Sequence, residues 1–178
     1  MIGQFFFAEP WEQKEASVEW GEYRIEVVRI SEPGPTVEVS NLFHRLYAQS
    51  QHGEETSPYF AGYLRFRAKA FPRSGGRQDN DSIAGSAEYR YWPSLNLGYI
   101  EYVQVDAGTR RKGLGVKLVN FIVDYMRRKG SWRVYAFAVN AMGCRLLARA
   151  GFTDETPEDP ASPRRKWFFC NTRRRPVT

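Results

Sequence analysis

One stretch near the middle of the chain constrains the fold more than any other: an amphipathic helix pattern between two strand patterns. Residues Leu114–Lys129 place their apolar side chains on one helical stripe and end at Gly130, a residue that commonly follows a helix. Tyr99–Val105 and Trp132–Val139 have the aromatic and β-branched residues typical of strands. Strands joined through a helix run parallel in one sheet, with a right-handed crossover. This stretch therefore predicts a parallel strand pair.

The remaining segments predict further strands and helices around this unit. Strand patterns cover four segments and the start of a fifth: Tyr23–Ile30, Phe60–Phe71, Ile83–Trp92, Trp167–Cys170 and a strand opening at Gly151-Phe152. Helical patterns cover Thr36–Ser50 and Ala141–Ala150. Neighbouring strands joined by short turns pair antiparallel. We therefore predict an α/β fold with a mixed, mostly antiparallel sheet of six to seven strands, helices on both faces and the parallel pair at its centre.

The composition favours one folded domain and argues against several classes of protein. The chain has 178 residues, of which 42% are apolar, too many for a disordered chain. It lacks a run of about 18 apolar residues, so no membrane span is expected. Its first residues lack the basic start and cleavage site of a signal peptide. We expect a cytoplasmic protein with an N-terminal extension at residues 1–22, a domain at 23–171 and a basic tail at 172–178.

Cysteine and histidine usage argues against a metal site. Cys144 and Cys170 stand singly, and His44 and His52 lie far from either in the sequence. No pair has the spacing of zinc ligands. We expect two free thiols and no bound metal.

Positive charge is concentrated in two parts of the chain, whose net charge is +6. Residues 164–178 contain six basic side chains and no acid, and residues 99–152 contain ten basic and three acidic side chains. The second part includes Arg110-Arg-Lys-Gly-Leu-Gly115, between a predicted strand and the strong helix. Glycines allow a ligand to approach the backbone closely, and the free N–H groups of a helix N-terminus attract anions. Together with Lys117, this segment predicts a phosphate site.

The same segment resembles the R-x-x-G-x-G motif of the GNAT superfamily of N-acetyltransferases, where the motif binds the pyrophosphate of acetyl-coenzyme A. A second match supports the resemblance: Asn140 follows a predicted strand, and Gly151-Phe152 follows eleven residues later, after a short helix. The resemblance implies that the parallel strands splay apart and that the pantetheine arm lies between them. The cofactor-binding residues would be the following: Val103, Val105, Arg110, Arg111, Lys112, Gly113, Leu114, Gly115 and Asn140.

The chain departs from the family pattern at one catalytic position. Many relatives have a tyrosine seven residues after the asparagine, which protonates the departing thiolate, whereas this chain has Leu147. Tyr135 or Cys144 could supply the proton instead, although core packing is the more common role for such residues. Ser131 is a further alternative, or a turn hydroxyl.

Acyl transfer to an amine also requires a base, and Glu101 is our candidate. It lies within an apolar strand, where desolvation would raise the pKa of its carboxyl group. Some relatives also have a glutamate on this strand. Alternatively, Glu101 faces outward and meets water or an arginine. A backbone N–H near Val105 would polarise the thioester carbonyl.

These features together predict an acyltransferase that uses acetyl-CoA as co-substrate. We expect it to acetylate a primary amine of a small molecule, a protein or an aminoacyl-tRNA by direct attack in a ternary complex. The alternative is an acyl-CoA-binding or protein-interaction module with little catalytic activity. The basic tail could bind nucleic acid, but we favour a solvated end of the last strand. We expect a monomer or homodimer with no membrane partner.

Overall fold

The computed structural model describes residues 12–30, 63–73, 82–154 and 166–172. The predicted helix at Thr36–Ser50, most of the loop after Pro72 and the arginines of the basic tail lie outside these residues. In the described part, no helix is long and apolar enough to cross a membrane.

The described residues form one eight-stranded sheet and two helices. Their bounds along the chain are β1 Glu12–Trp20, β2 Tyr23–Ile30, β3 Leu64–Pro72, β4 Gly85–Trp92, β5 Leu97–Val105, α1 Leu114–Arg128, β6 Arg133–Ala138, α2 Ala141–Arg149, β7 Thr153–Asp154 and β8 Lys166–Asn171. The strand order is β1-β2-β3-β4-β5-β6-β8-β7. Only β5 and β6 pair in parallel among these strands. The mixed α/β fold with its central parallel pair is confirmed, but the sheet has eight strands rather than six or seven.

The additional strand is β1, which the sequence analysis did not predict. It pairs antiparallel with β2 through a turn at Gly21, whose φ is +60°. Trp20 makes an edge-to-face contact with Phe121 of α1, with ring centroids 5.5 Å apart. The first residues of β1 are polar and exposed because β1 is an edge strand, so its sequence lacks the apolar pattern of an inner strand.

The two faces of the sheet have different contents. On one face, α1 packs its apolar stripe against β3, β4 and β5. On the other face, Trp92, Leu97, Tyr99 and Tyr135 form a separate buried cluster. The ion pairs of β3 and β4 also lie on this second face, which we call the open face because neither described helix packs on it. The helix packing is what the stripe predicted, since burying it removes the most apolar surface from water.

The parallel pairing of β5 and β6 covers only the first half of the two strands. It runs from Leu97↔Arg133 to Ile100↔Ala136 and then stops. Beyond that row, β5 continues to pair with β4, and β6 continues to pair with β8. A gap therefore opens between the second halves of β5 and β6, as the family resemblance implied.

Candidate functional site

The backbone of β5 faces the gap at two alternate residues. Asp106 N–H donates to the Ala84 carbonyl oxygen over 2.9 Å, which fixes the phase of the antiparallel ladder between β4 and β5. Because alternate residues of a strand turn their backbone groups to opposite edges, Val103 and Val105 turn theirs away from β4. Both residues belong to the predicted cofactor-binding set, and an extended ligand in the gap could bond to them as an added strand would.

The loop after β5 leads into the N-terminus of α1. Gly113 is the residue that precedes the helix, with φ +80°, and Arg111 also has a positive φ of 65°. Residues of alternating handedness turn successive N–H groups toward one point, an arrangement that binds anions. No side chain caps α1 at this end. Its first N–H groups are therefore available to a ligand.

The two glycines of the motif serve different purposes. A Cβ atom on Gly113 would meet nothing within 4 Å, so glycine is needed there for the backbone angle and the space beside it is open. A Cβ atom on Gly115 would lie 3.1 Å from Leu146 Cδ1 of α2. Gly115 thus lets α2 approach the start of α1. An open, left-handed residue at an uncapped helix N-terminus suits a phosphate group, so the loop fits the pyrophosphate of a CoA ligand.

The cations of this loop have no acidic partners among the residues that the structure describes. Arg110, Arg111 and Lys112 are exposed, and Arg110 Nε donates to the Val105 carbonyl oxygen over 3.2 Å. Lys117 stands over the Tyr23 ring at 5.7 Å. The three loop cations can therefore turn to an anion without breaking an ion pair.

Glu101 lies at the point where the gap begins, in a β-bulge. Glu88 pairs with Tyr102 and Tyr89 pairs with Ile100, so Glu101 is the extra residue of β5. Its carboxylate accepts from Arg90 Nε at 3.0 Å and from Arg90 Nη2 at 3.1 Å. Arg65 Nε lies 3.6 Å from the same carboxylate. Glu101 therefore meets an arginine, as the alternative expectation for this residue stated.

The Arg90 side chain is 0% exposed, and its charge depends on this pair. Burial disfavours the charged guanidinium, but the hydrogen bonds and charge of Glu101 outweigh burial and raise the pKa of Arg90. The Tyr63 ring also covers Arg90, 4.6 Å from its Cζ atom. Glu101 is therefore held firmly, and its oxygens are already engaged by donors.

The Arg90–Glu101 pair belongs to an ion-pair network that sequence reasoning missed. Arg65 and Arg67 both bind Glu88, and Arg67 and Lys69 both bind Glu12 at 2.6 Å. Burial raises the pKa of the Glu88 carboxyl, but hydrogen bonds and charges of Arg67 and Arg65 outweigh it and hold the pKa below its usual value. The sequence signal for this network was the alternation of basic residues along β3. Only the strand register shows that these residues lie opposite Glu88 of β4.

Asn140 and Leu147 both have structural roles in α2. Asn140 is the N-cap residue, and its Oδ1 accepts from Gly143 N–H over 2.9 Å. Leu147 is 5% exposed and belongs to the main core. The position of the family tyrosine is thus filled by a packed apolar side chain.

The candidate proton donors lie in different surroundings. Tyr135 is 2% exposed, belongs to the open-face cluster and accepts a hydrogen bond from Arg133 Nη1 over 2.9 Å. Cys144 is partly buried on α2, one turn before Leu147. The Ser131 hydroxyl donates to the Arg133 carbonyl oxygen before β6 begins. The gap opens at the other end of β6, so Ser131 is not brought to the site.

Comparisons with known proteins identify a family match and similar folds. The profile of the acetyltransferase (GNAT) family matches residues 37–152. The fold is similar to a ribosomal-protein-S5-alanine acetyltransferase from Vibrio fischeri, with TM-score 0.52 and 16% identity over 89% of this chain and 97% of that one. It is also similar to a Desulfovibrio desulfuricans protein assigned to the GNAT family, with TM-score 0.51 and 19% identity over 83% and 99% of the two chains. At these identities the likeness concerns the fold alone. A search of curated proteins finds no match.

Proposed function

We propose that this chain, which belongs to the GNAT family of acetyltransferases, transfers the acetyl group of acetyl-CoA to a primary amine. One observation carries the proposal: the opened strand pair ends at an uncapped helix N-terminus with an open, left-handed Gly113. The gap and the phosphate-binding loop are therefore continuous along β5. A long ligand with an amide-rich arm and a pyrophosphate end matches both.

The residues that would hold acetyl-CoA follow from this geometry. The N–H groups at the start of α1, in Leu114 and Gly115, would bind the pyrophosphate, together with the cations Arg110, Arg111 and Lys112. The backbone groups of Val103 and Val105 would bind the pantetheine amides. Asn140 would contribute its amide N–H₂, since its oxygen caps α2. When bound, acetyl-CoA supplies an activated acetyl group as a thioester.

Proton removal from the acceptor amine is assigned to Glu101 through a water molecule. Arg90 engages both carboxylate oxygens, but each oxygen has a second lone pair that can accept from a water. A carboxylate fixed by a buried arginine would orient such a water. Either Cys144 or Tyr135 would protonate the thiolate, because Leu147 has no proton to give.

The first test is cofactor binding measured by thermal unfolding. Acetyl-CoA should stabilise the wild-type protein by about 2.7 kcal/mol at a hundredfold excess over Kd. Gly113→Asp should abolish this gain, because it places a carboxylate at the phosphate site. Gly21→Asp is a matched control, since Gly21 also has a positive φ and nothing within 4 Å of an added Cβ. Equal responses of the two variants to acetyl-CoA, or none in wild type, would refute the binding site.

The second test separates an enzyme from a binding module, the alternative that the buried Leu147 favours. Free thiol released from acetyl-CoA is counted across a panel of amines. Turnover with any amine supports the enzyme, and Cys144→Ser and Tyr135→Phe then identify the acid by a rate loss of about 10²–10⁴-fold. Cofactor binding without turnover across the panel would support the binding module. In that case Leu147→Tyr should raise the rate of thiol release.

A further inference from the structure

Arg133, the first residue of β6, has an unusual environment on the open face. Its guanidinium carbon lies 4.7 Å from the ring centre of Trp132 and 4.7 Å from that of Phe169, with the Tyr135 ring at 5.8 Å. Aromatic faces attract a guanidinium and hold its plane in place. Arg133 as a whole is only partly buried.

The charge of Arg133 is not balanced within the described part of the chain. No carboxylate lies within ion-pair distance of it there, and its Nε is buried without a hydrogen-bond partner. Its Nη1 donates to the Tyr135 hydroxyl. A partly desolvated charge with an unused donor is costly, and native proteins satisfy most such groups. An external anion would balance the charge of Arg133.

Arg90, on the same face, is an arginine whose charge and hydrogen-bond donors have a carboxylate partner. It is also stacked on a tyrosine ring, but both arms of its fork bind the Glu101 carboxylate. Arg133 has the stacking without the carboxylate. Because the guanidinium fork matches a carboxylate in size and geometry, a carboxylate is the group expected to complete it.

The position of Arg133 excludes the cofactor phosphates as that anion. The phosphate-binding loop follows the end of β5, whereas Arg133 stands at the start of the parallel β6, at the opposite end of the pair. Tyr135, which Arg133 contacts, lies one strand across and two residues back from Glu101. Strand spacing and rise put that offset at about 8 Å.

We infer that Arg133 binds a carboxylate of the acceptor. This inference rests on the proposed acetyl transfer for its amine end. Glu101 and its water would receive the amine, and Arg133 would receive the anionic end. The acceptor is then an amino acid or peptide-like compound with separated charges rather than a simple amine.

The test uses 6-aminohexanoate and its neutral counterpart 6-aminohexanamide. Binding to the CoA-saturated protein is measured by calorimetry, and KM and kcat are measured with acetyl-CoA. The wild-type protein should prefer the carboxylate by about 10- to 100-fold in Kd and KM, the effect of a charge-assisted pair. Arg133→Met should remove the preference, and Arg133→Lys should keep part of it. Arg149→Met, at an exposed position on α2, is the control for the charge change.

Each outcome decides one of the two proposals. No preference in wild type, or an equal preference in Arg133→Met, overturns the role of Arg133. Urea unfolding of Arg133→Met checks that the variant is folded, and Arg133→Lys keeps the test open if it is not. Calorimetry needs no turnover, so Arg133-dependent binding of 6-aminohexanoate would support the anion site whether or not the compound is acetylated. The panel of amines then decides whether the protein is an enzyme. Acetylation of both amines with equal KM would support the enzyme while refuting the anion site at Arg133.

Discussion

One group of cations lies on β3 and β4, and another lies in the loop after β5. The two groups differ in what balances their charge. On the open face, Arg65, Arg67 and Arg90 are bound by Glu88 and Glu101. In the loop after β5, Arg110, Arg111 and Lys112 are exposed, and no described carboxylate pairs with them. Charge that is already neutralised holds a structure together, whereas charge that is left unpaired is available to a ligand. The same residue types are therefore expected to have opposite effects on stability and binding.

The largest expected effect is on stability, from Arg90→Met. Removing Arg90 from this buried pair leaves Glu101 with only the longer contact to Arg65 Nε, at 3.6 Å, among the described residues, which should lower the free energy of unfolding by about 3–5 kcal/mol. Urea unfolding measures this change. Arg67→Met, whose side chain is 34% exposed, is the comparison and should cost only about 0–1 kcal/mol. Acetyl-CoA affinity of the folded Arg90→Met protein should be unchanged. Equal stability of the two variants would mean that burial does not set the strength of these pairs.

In the loop, the double variant Arg111→Ala with Lys112→Ala should change acetyl-CoA affinity and leave stability unchanged. Losing two charge-assisted contacts should weaken acetyl-CoA binding by about 10- to 100-fold. The free energy of unfolding should stay within about 0.5 kcal/mol of wild type, because both side chains are exposed. Calorimetry and urea unfolding give the two numbers. A large loss of stability with unchanged affinity would reverse the comparison between the two groups.

The third effect concerns pH and the open-face network. The folded-state pKa of Glu88 is lowered below its ordinary value of 4.5, so its contribution to stability is present above that value. The contribution is lost as the pH falls from 4.5 through the lower folded-state pKa. Glu88→Gln should reduce stability at pH 7 by about 1.5–3 kcal/mol and flatten the acid limb of the curve. Parallel curves for both proteins down to pH 3 would show that Glu88 is not linked to acid unfolding.

The sequence predicted the fold where one local pattern agreed with the global arrangement. The stripe from Leu114 to Met126 predicted α1, and the flanking strand patterns predicted the parallel pair. Strand β1 was missed because half of an edge strand faces water, and its residues Glu12, Gln13 and Lys14 give no apolar alternation. The loop motif predicted a phosphate site because glycine at a left-handed position is a local requirement of the backbone.

The surroundings of single side chains could not be predicted in the same way. Glu101 was expected to be a desolvated carboxylate, yet Arg90 from the neighbouring strand binds it. That contact depends on a bulge of one residue, which shifts the register between β4 and β5. The sequence did not single out Arg133. Trp132 and Tyr135 are close to it in the chain, but Phe169 comes from β8, and only the folded sheet brings the three rings around one guanidinium.

The sequence by itself determined α1 and the two strands that flank it, the glycine loop at the start of α1 and the absence of a tyrosine at Leu147. These are properties of neighbouring residues, and backbone geometry acts over a few residues. Only the tertiary structure decided which charges are paired, where β5 and β6 separate and that Arg133 has no described carboxylate partner. Those properties depend on strand register and on contacts between distant segments, which burial and hydrogen bonding select when the whole sheet forms.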